Sequence, residues 1–363
     1  MLRCCAGSLV VLLLLAAVLH VCVARERQEG GVKEPVIASR RCKWEADTDD
    51  ARRQHHQQSN ELLPVYWINM AESATRRTYM TELLSSEAAR TMGLGRNERV
   101  QSITPDVPDY RLSMLEMPCK RNTPRDLAVI MSHLTAMHRA VYESSISSAS
   151  KSKYALILED DVAFTVPIRF NDLILTAPAD FGILQLTTSC KEAVHQIWRQ
   201  FTKSDGQDLW TYNHWTNTTR DKRYPLFWSA QAYIINKAIV KGFLDDVIIT
   251  QTNGSLSFKL VNSFFPRQCQ RTRARPCILA NCLFSDSYIF AGGGPTYVSN
   301  IPIVNGADIG RSSTIHQEHV SRVHLPVFDL IRQTVNSLKD NYEKTGRALP
   351  PYVFKPKCPS VSA

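Results

Sequence analysis

The chain has 363 residues, enough for one elaborate domain or two smaller ones around a sizeable core. Hydrophobic content of 44% and charged content of 21% are those of a folded protein and exclude a disordered or fibrous chain. The net charge of +9 is spread out, thickening only around Lys203 to Arg223 and Arg267 to Arg275. No nucleic-acid-binding motif surrounds these residues, so no nucleic acid partner is expected. A solvated basic surface, or attraction to an anionic substrate or surface, accounts for the charge.

The N-terminus carries an address. Arg3 precedes an uncharged run from Cys4 to Ala24, dominated by Leu9 to Leu19, and Arg25-Glu-Arg27 closes it. Residues 1–24 therefore read as a cleavable signal peptide, with small residues at Cys22 and Ala24, or as a single-pass signal anchor through residues 4–24. Both readings put the body of the chain in the lumen of the secretory pathway, in the ER or Golgi, and leave secretion open. Two N-glycosylation acceptors, Asn217-Thr-Thr219 and Asn253-Gly-Ser255, agree with that compartment. So do the cysteines beyond Ala24, which are Cys42, Cys119, Cys190, Cys269, Cys277, Cys282 and Cys358. An oxidising lumen lets most of them pair as disulfides and leaves at least one over. The spacing of Cys269, Cys277 and Cys282 matches no zinc pattern.

Residues 25–61 are polar and without apolar periodicity, so they read as a stem or linker. Order is expected from Leu62. Val65 to Ile68 is a short apolar strand, Ser73 a helix N-cap, and Tyr79, Met80, Leu83 and Leu84 the apolar positions of the helix that follows. Arg99 to Ile103 reads as the next strand. Leu127, Ile130, Met131, Leu134, Met137 and Val141 recur at helical spacing after Asp126. Further strands are expected at Phe181 to Leu186, within Leu226 to Ile235 and at Tyr297-Val298, with a helix through Ile239, Val240 and Phe243. Alternating strands and helices define an α/β domain over residues 62–330, followed by a C-terminal helix and tail over residues 331–363.

The informative stretch is Tyr154-Ala-Leu-Ile-Leu-Glu-Asp-Asp-Val162. An unbroken apolar run suits a strand buried on both faces, and carboxylates are costly to bury unpaired. Glu159, Asp160 and Asp161 should thus mark where the strand reaches water, at the sheet edge where α/β folds bind ligands. Alternation along extended backbone sends Glu159 and Asp161 to one side and Asp160 to the other. Two carboxylates on one side can hold a divalent cation that carries a substrate phosphate. An acidic turn without further role is the plain alternative.

Three stretches follow one another in order. They are Ile68-Asn-Met70 with Arg76-Arg77, Ser132-His133 on a helix, and Leu156-Ile-Leu-Glu-Asp-Asp161. The set resembles glycosyltransferase family 25, the lipopolysaccharide and procollagen galactosyltransferase type, over roughly Val65 to Ile315. The resemblance is best over its first hundred residues and faint after Phe201. Glycines usual ahead of the Ser-His pair are replaced here by Arg125 and Ala128.

The resemblance implies a glycosyltransferase A-type fold, a Rossmann-like mixed sheet with helices on both faces. It implies a metal-dependent hexosyltransferase, with a UDP-sugar donor carrying galactose or glucose, a Mn2+ or Mg2+ ion, and a hydroxyl of a protein or glycan as acceptor. By the match, Asp161 would be the metal ligand and Glu159 a contact to ribose, sugar or metal-bound water, while Asp160 ties down the loop. Asn69, Arg76, Arg77 and His133 would serve the nucleotide. If transfer inverts the anomeric centre, a base must deprotonate the acceptor, and Asp286 in Phe284-Ser-Asp-Ser-Tyr-Ile289 is the candidate. His316 is either a late metal-shell histidine or a surface residue. A catalytically inactive relative acting as a secreted adhesion or scaffold module is the competing reading. Intact Glu159 and Asp161 argue against it, and the altered segment before Ser132 argues for it.

Overall fold

The computed structural model describes residues 62–106, 124–142, 152–213, 227–260, 285–307, 324–345 and 353. In chain order its elements are β1 (Leu63–Asn69), α1 (Ala74–Ser85), α2 (Glu87–Thr91), β2 (Leu94–Gln101), α3 (Pro124–Tyr142), β3 (Tyr154–Glu159), β4 (Val162–Phe164), α4 (Phe170–Leu175), β5 (Ile183–Gln185), α5 (Lys191–Lys203), β6 (Trp210–Asn213), β7 (Ala232–Asn236), α6 (Lys237–Val247), β8 (Ile248–Thr250), β9 (Leu256–Phe258), α7 (Ser285–Gly292), β10 (Thr296–Ser299), β11 (Val304–Gly306) and α8 (Leu325–Thr345).

A seven-stranded sheet in the order β2-β1-β3-β7-β5-β10-β6 carries the fold. β1 is parallel to both β2 and β3, and β10 is parallel to β5. β7 runs antiparallel between β3 and β5, and β6 closes the edge antiparallel to β10. The α/β class and the Rossmann-like mixed sheet with helices on both faces are thus what the chain forms. The reversal at β7 matters for function. It brings the residues entering β7 to the same sheet edge as those leaving β3.

Period-2 alternation divides the apolar residues of the central strands into two layers. Tyr66, Ile68, Ala155, Ile157, Tyr233 and Ile235 pack with α3, α6 and α7 on one face. Val65, Trp67, Leu156, Leu158, Ala232 and Ile234 pack with α1, α4 and α8 on the other. A continuous apolar strand is therefore required in the middle of the sheet, as the run at Tyr154 to Leu158 promised.

Other details depart from the expectation. β2 begins at Leu94, five residues before Arg99, and ends at Gln101. Ser73 does precede α1, but its side chain makes no capping bond. α5 lies in a stretch for which no element is expected, and Ala193, Val194, Ile197 and Phe201 give it a buried stripe. The C-terminal helix starts at Leu325, so the boundary expected between residues 330 and 331 falls inside it. Val327 and Ile331 pack on Val194, Val335 and Leu338 join the main core, and Asn305 Nδ2 donates to the Phe328 carbonyl at 3.1 Å. This helix is part of the domain because its apolar face is buried against it.

Close backbone contact explains part of the triple glycine. A Cβ on Gly182 would lie 2.0 Å from the Gly293 carbonyl oxygen, and Gly294 has φ +92°. Residues 1–24, the stem to residue 61, Asn217, His316 and all cysteines beyond Ala24 except Cys190 lie outside the described residues. The Cys190 thiol donates to Glu192 Oε2 at 3.0 Å. No helix among the described residues is long and apolar enough to cross a membrane.

Candidate functional site

β3 ends at Glu159, and the chain turns at Asp160-Asp161 before β4. The strand alternation expected through Asp161 therefore stops two residues early, because turning backbone has no period of two. Each carboxylate meets a different set of partners.

Asp160 is held from both sides. Asn69, at the end of β1, donates to its Oδ2 at 2.7 Å, and Arg76, in the first turn of α1, donates to its Oδ1 at 2.9 Å. The other end of the Asn69 amide accepts from Arg99 Nε at 2.8 Å. Both functions of the Asn69 side chain are thereby used within the chain. Arg77 points elsewhere and donates to the Ala71 carbonyl at 3.2 Å.

Asp161 is clamped from its own side. Gln231, just before β7, donates to Asp161 Oδ1 at 3.0 Å, and the Ala307 amide donates to the Asp161 carbonyl at 2.7 Å. Its Oδ2 lies 3.3 Å from Arg76 Nη1, the same nitrogen that bonds Asp160. Pairing of β4 with β11 holds the downstream end of this turn.

Glu159 is the most open of the three, its side chain 36% exposed against 9% for Asp160 and 17% for Asp161. His133 on α3 approaches it, with Nε2 3.3 Å from Oε1, and Tyr233 Oη lies 3.1 Å from His133 Nδ1. An ionised carboxylate only accepts, so a proton on Nε2 faces Glu159. The neighbouring Ser132 hydroxyl accepts from the Ile103 amide at 2.9 Å and ties α3 to the chain leaving β2.

Asp286, on α7, accepts from the Ser229 amide at 2.7 Å. Ser229 has φ 122°, a backbone conformation that side chains disfavour, at a cost of about 1–3 kcal/mol. A buried amide network holds that segment. Asn213 Nδ2 donates to Gln185 Oε1 and to the Phe227 carbonyl, each at 2.9 Å, and Gln185 Nε2 reaches the Trp228 carbonyl at 3.1 Å.

Charge is unevenly balanced across the cluster. Burial, then the charge of Glu159, pushes the Asp161 carboxyl up to about 6, against the pull of Arg76 and Gln231. Burial also raises Asp286 to about 6, the amide of Ser229 working against it and the charge of Glu159 with it. Asp160 is raised by burial in spite of its bonds to Asn69 and Arg76. For Glu159 burial is overcome by the hydrogen bond and electrostatic pull of His133, with Arg76 and His324 adding, and its carboxyl falls below the usual range. Burial thus holds Asp160, Asp161 and Asp286 above the ordinary carboxylate range, and Glu159 alone falls below it.

A divalent ion suits that imbalance. Glu159 and Asp161 line a cavity of about 100 Å³ together with Asn69, Arg76, Ser132 and His133. Among the described residues no group of three or more acidic, histidine or cysteine side chains is assembled for a metal. Ions of the magnesium type are commonly held by one or two carboxylates, completed by water and substrate phosphate, and the pair here fits that use. A larger cavity of about 570 Å³, lined by His138, Tyr142 and Asp245 among others, lies between α3, α6 and the β8–β9 hairpin.

The expected residues Asn69, Arg76, His133, Glu159, Asp160 and Asp161 come together at one sheet edge, with Asp286 in electrostatic reach of Glu159 and His133. Arg77 stands apart. Arg99, Gln231 and Tyr233 join the site without having been singled out. All three lie in stretches that read as strands, yet their roles depend on registers such as Ile157 opposite Tyr233, which no local pattern encodes.

No protein-family model and no curated protein matches the chain. Among solved structures, the crystal structure of mouse xyloside xylosyltransferase 1 in its apo form is similar at 9% identity, covering 67% of this chain and 78% of that one, with a TM-score of 0.29. At that degree of likeness the functional reading rests on the site.

Proposed function

We propose that the chain is a metal-dependent glycosyltransferase of the A type, moving a hexose, galactose or glucose, from a UDP-sugar to a hydroxyl of a protein or glycan acceptor. The observation that carries this reading is the Glu159/Asp161 pair at the carboxyl edge of β3, lining one small cavity, mutually repelling and flanked by Arg76. Asp161 and Glu159 would hold Mn2+ or Mg2+, which supplies charge stabilisation for the departing diphosphate. Asp160 and Asn69 then act as the frame that aims Arg76, whose guanidinium suits a phosphate. His133, oriented by Tyr233, keeps Glu159 ionised and turned to the cleft. Asp286, with its raised carboxyl, is the base for the acceptor hydroxyl in an inverting transfer. The compartment that goes with this reading is the secretory lumen, with an N-terminal signal or anchor, N-glycans at Asn217 and Asn253, and disulfides among the remaining cysteines.

The deciding experiment is a screen of UDP-sugars against the purified full chain, read as released UDP with Mn2+ and with chelator. One or more UDP-hexoses should be turned over only with the ion, and Asp161→Ala should abolish turnover. Turnover unchanged by chelator, or Asp161→Ala binding UDP as the parent does, rules the reading out.

A further inference from the structure

Asp161 presents two oxygens in unequal situations. Oδ1 accepts from Gln231 Nε2 at 3.0 Å, whereas Oδ2 is met by Arg76 Nη1 at 3.3 Å. The same Nη1 makes a shorter bond, 2.9 Å, to Asp160 Oδ1, and Asp160 is anchored again by Asn69. The guanidinium can therefore leave Asp161 while keeping its stronger contact. Arg76 is also only 13% exposed, so water screens it weakly from the turn.

We propose that Arg76 is a built-in counter-ion of the acidic turn, competing with a divalent cation for Asp161 Oδ2 while Gln231 keeps the carboxylate in place through Oδ1. The inference rests on the metal-dependent reading above and adds a regulation to it. In the free chain Arg76 holds cation affinity down. When a cation arrives with a nucleotide diphosphate, the displaced guanidinium finds the diphosphate as its new partner, so the two ligands bind with positive coupling. Free metal is bound weakly and the metal–nucleotide pair strongly.

The test measures Mn2+ binding to the full chain, by loss of the free-ion electron spin resonance signal, with and without UDP. In the parent, UDP should tighten Mn2+ binding. Arg76→Gln should bind Mn2+ alone about tenfold tighter than the parent and lose most of the tightening by UDP. Since that variant leaves Asp160 short of a partner, Arg76→Gln combined with Asp160→Asn is measured beside it and should show the same gain. Gln231→Leu, which frees the other oxygen, should weaken Mn2+ binding. Parent chain that binds Mn2+ no more weakly than both Arg76 variants overturns the counter-ion role and leaves the transferase reading intact. Absence of Mn2+ binding in the parent and in every variant, with or without UDP, overturns both.

Discussion

At Asp161 burial, with the charge of Glu159 behind it, sets a pH dependence that can be worked out by sign. The carboxyl moves from 3.8 to about 6 on folding, so the folded chain holds a proton that the unfolded chain has already lost. Folded stability is therefore greatest below pH 4 as far as this group is concerned and is lost as pH rises to about 6. Asp286 acts in the same window and direction. Glu159, lowered from 4.5, acts oppositely and lower down, its contribution disappearing as pH falls below that value. Between pH 4 and 6 the metal-free chain should lose about 1–3 kcal/mol of stability. Urea unfolding across that range checks it, and Asp161→Asn should flatten the slope. Mn2+ binding requires the ionised carboxylate, so its protection against unfolding should grow over the same interval. The Arg76–Asp160 pair makes a second claim. Arg76→Ala strands a mostly buried carboxylate and should cost about 3 kcal/mol, while Asp160→Asn added to it should recover part of the loss in a double-mutant cycle.

Among the elements, the contact between the start of β5 and the end of α7 has no room for a side chain. Gly182→Ala drives a Cβ to within 2.0 Å of the Gly293 carbonyl and should lower stability by about 1–3 kcal/mol. Gly242, in α6, has nothing within 4 Å of the same added atom, and Gly242→Ala should instead stabilise by about 0.5–1 kcal/mol. Thermal denaturation of the pair separates steric crowding from any general effect of losing a glycine. The β8–β9 hairpin offers a further check. Asn253 lies exposed on its turn, with Oδ1 accepting from the Ser255 amide at 2.9 Å. Chain made in a secretory host should carry a glycan there, and Asn253→Gln should lower its mass by one glycan on a gel. Full mass retained by Asn253→Gln would count against glycosylation of this turn.

For the whole molecule, β3 supplies residues to both core layers, Ile157 to one and Leu156 to the other. Ile157→Ala and Leu156→Ala should each cost about 2–5 kcal/mol and shift one common transition, since both layers share the strand. Circular dichroism and tryptophan fluorescence that separate in either variant would show that the layers unfold apart. The amino-acid sequence alone determined the apolar run of β3 and its arrival at carboxylates, the long helix carrying Ser132-His133 and the α/β alternation. Each of these depends on short-range period and on the cost of burying charge, and both are properties of neighbouring residues. It also ordered Asn69, Arg76, His133 and the acidic triplet along the chain. What only the tertiary structure decided is how those groups divide the work. The reversal of β7 brings Gln231 and Tyr233 to the acidic edge, Arg99 reaches Asn69 from the adjacent strand, and Asp160 is turned inward while Asp161 shares a guanidinium with it. Those partnerships join residues far apart in sequence, and strand register, which no local preference records, sets which of them meet.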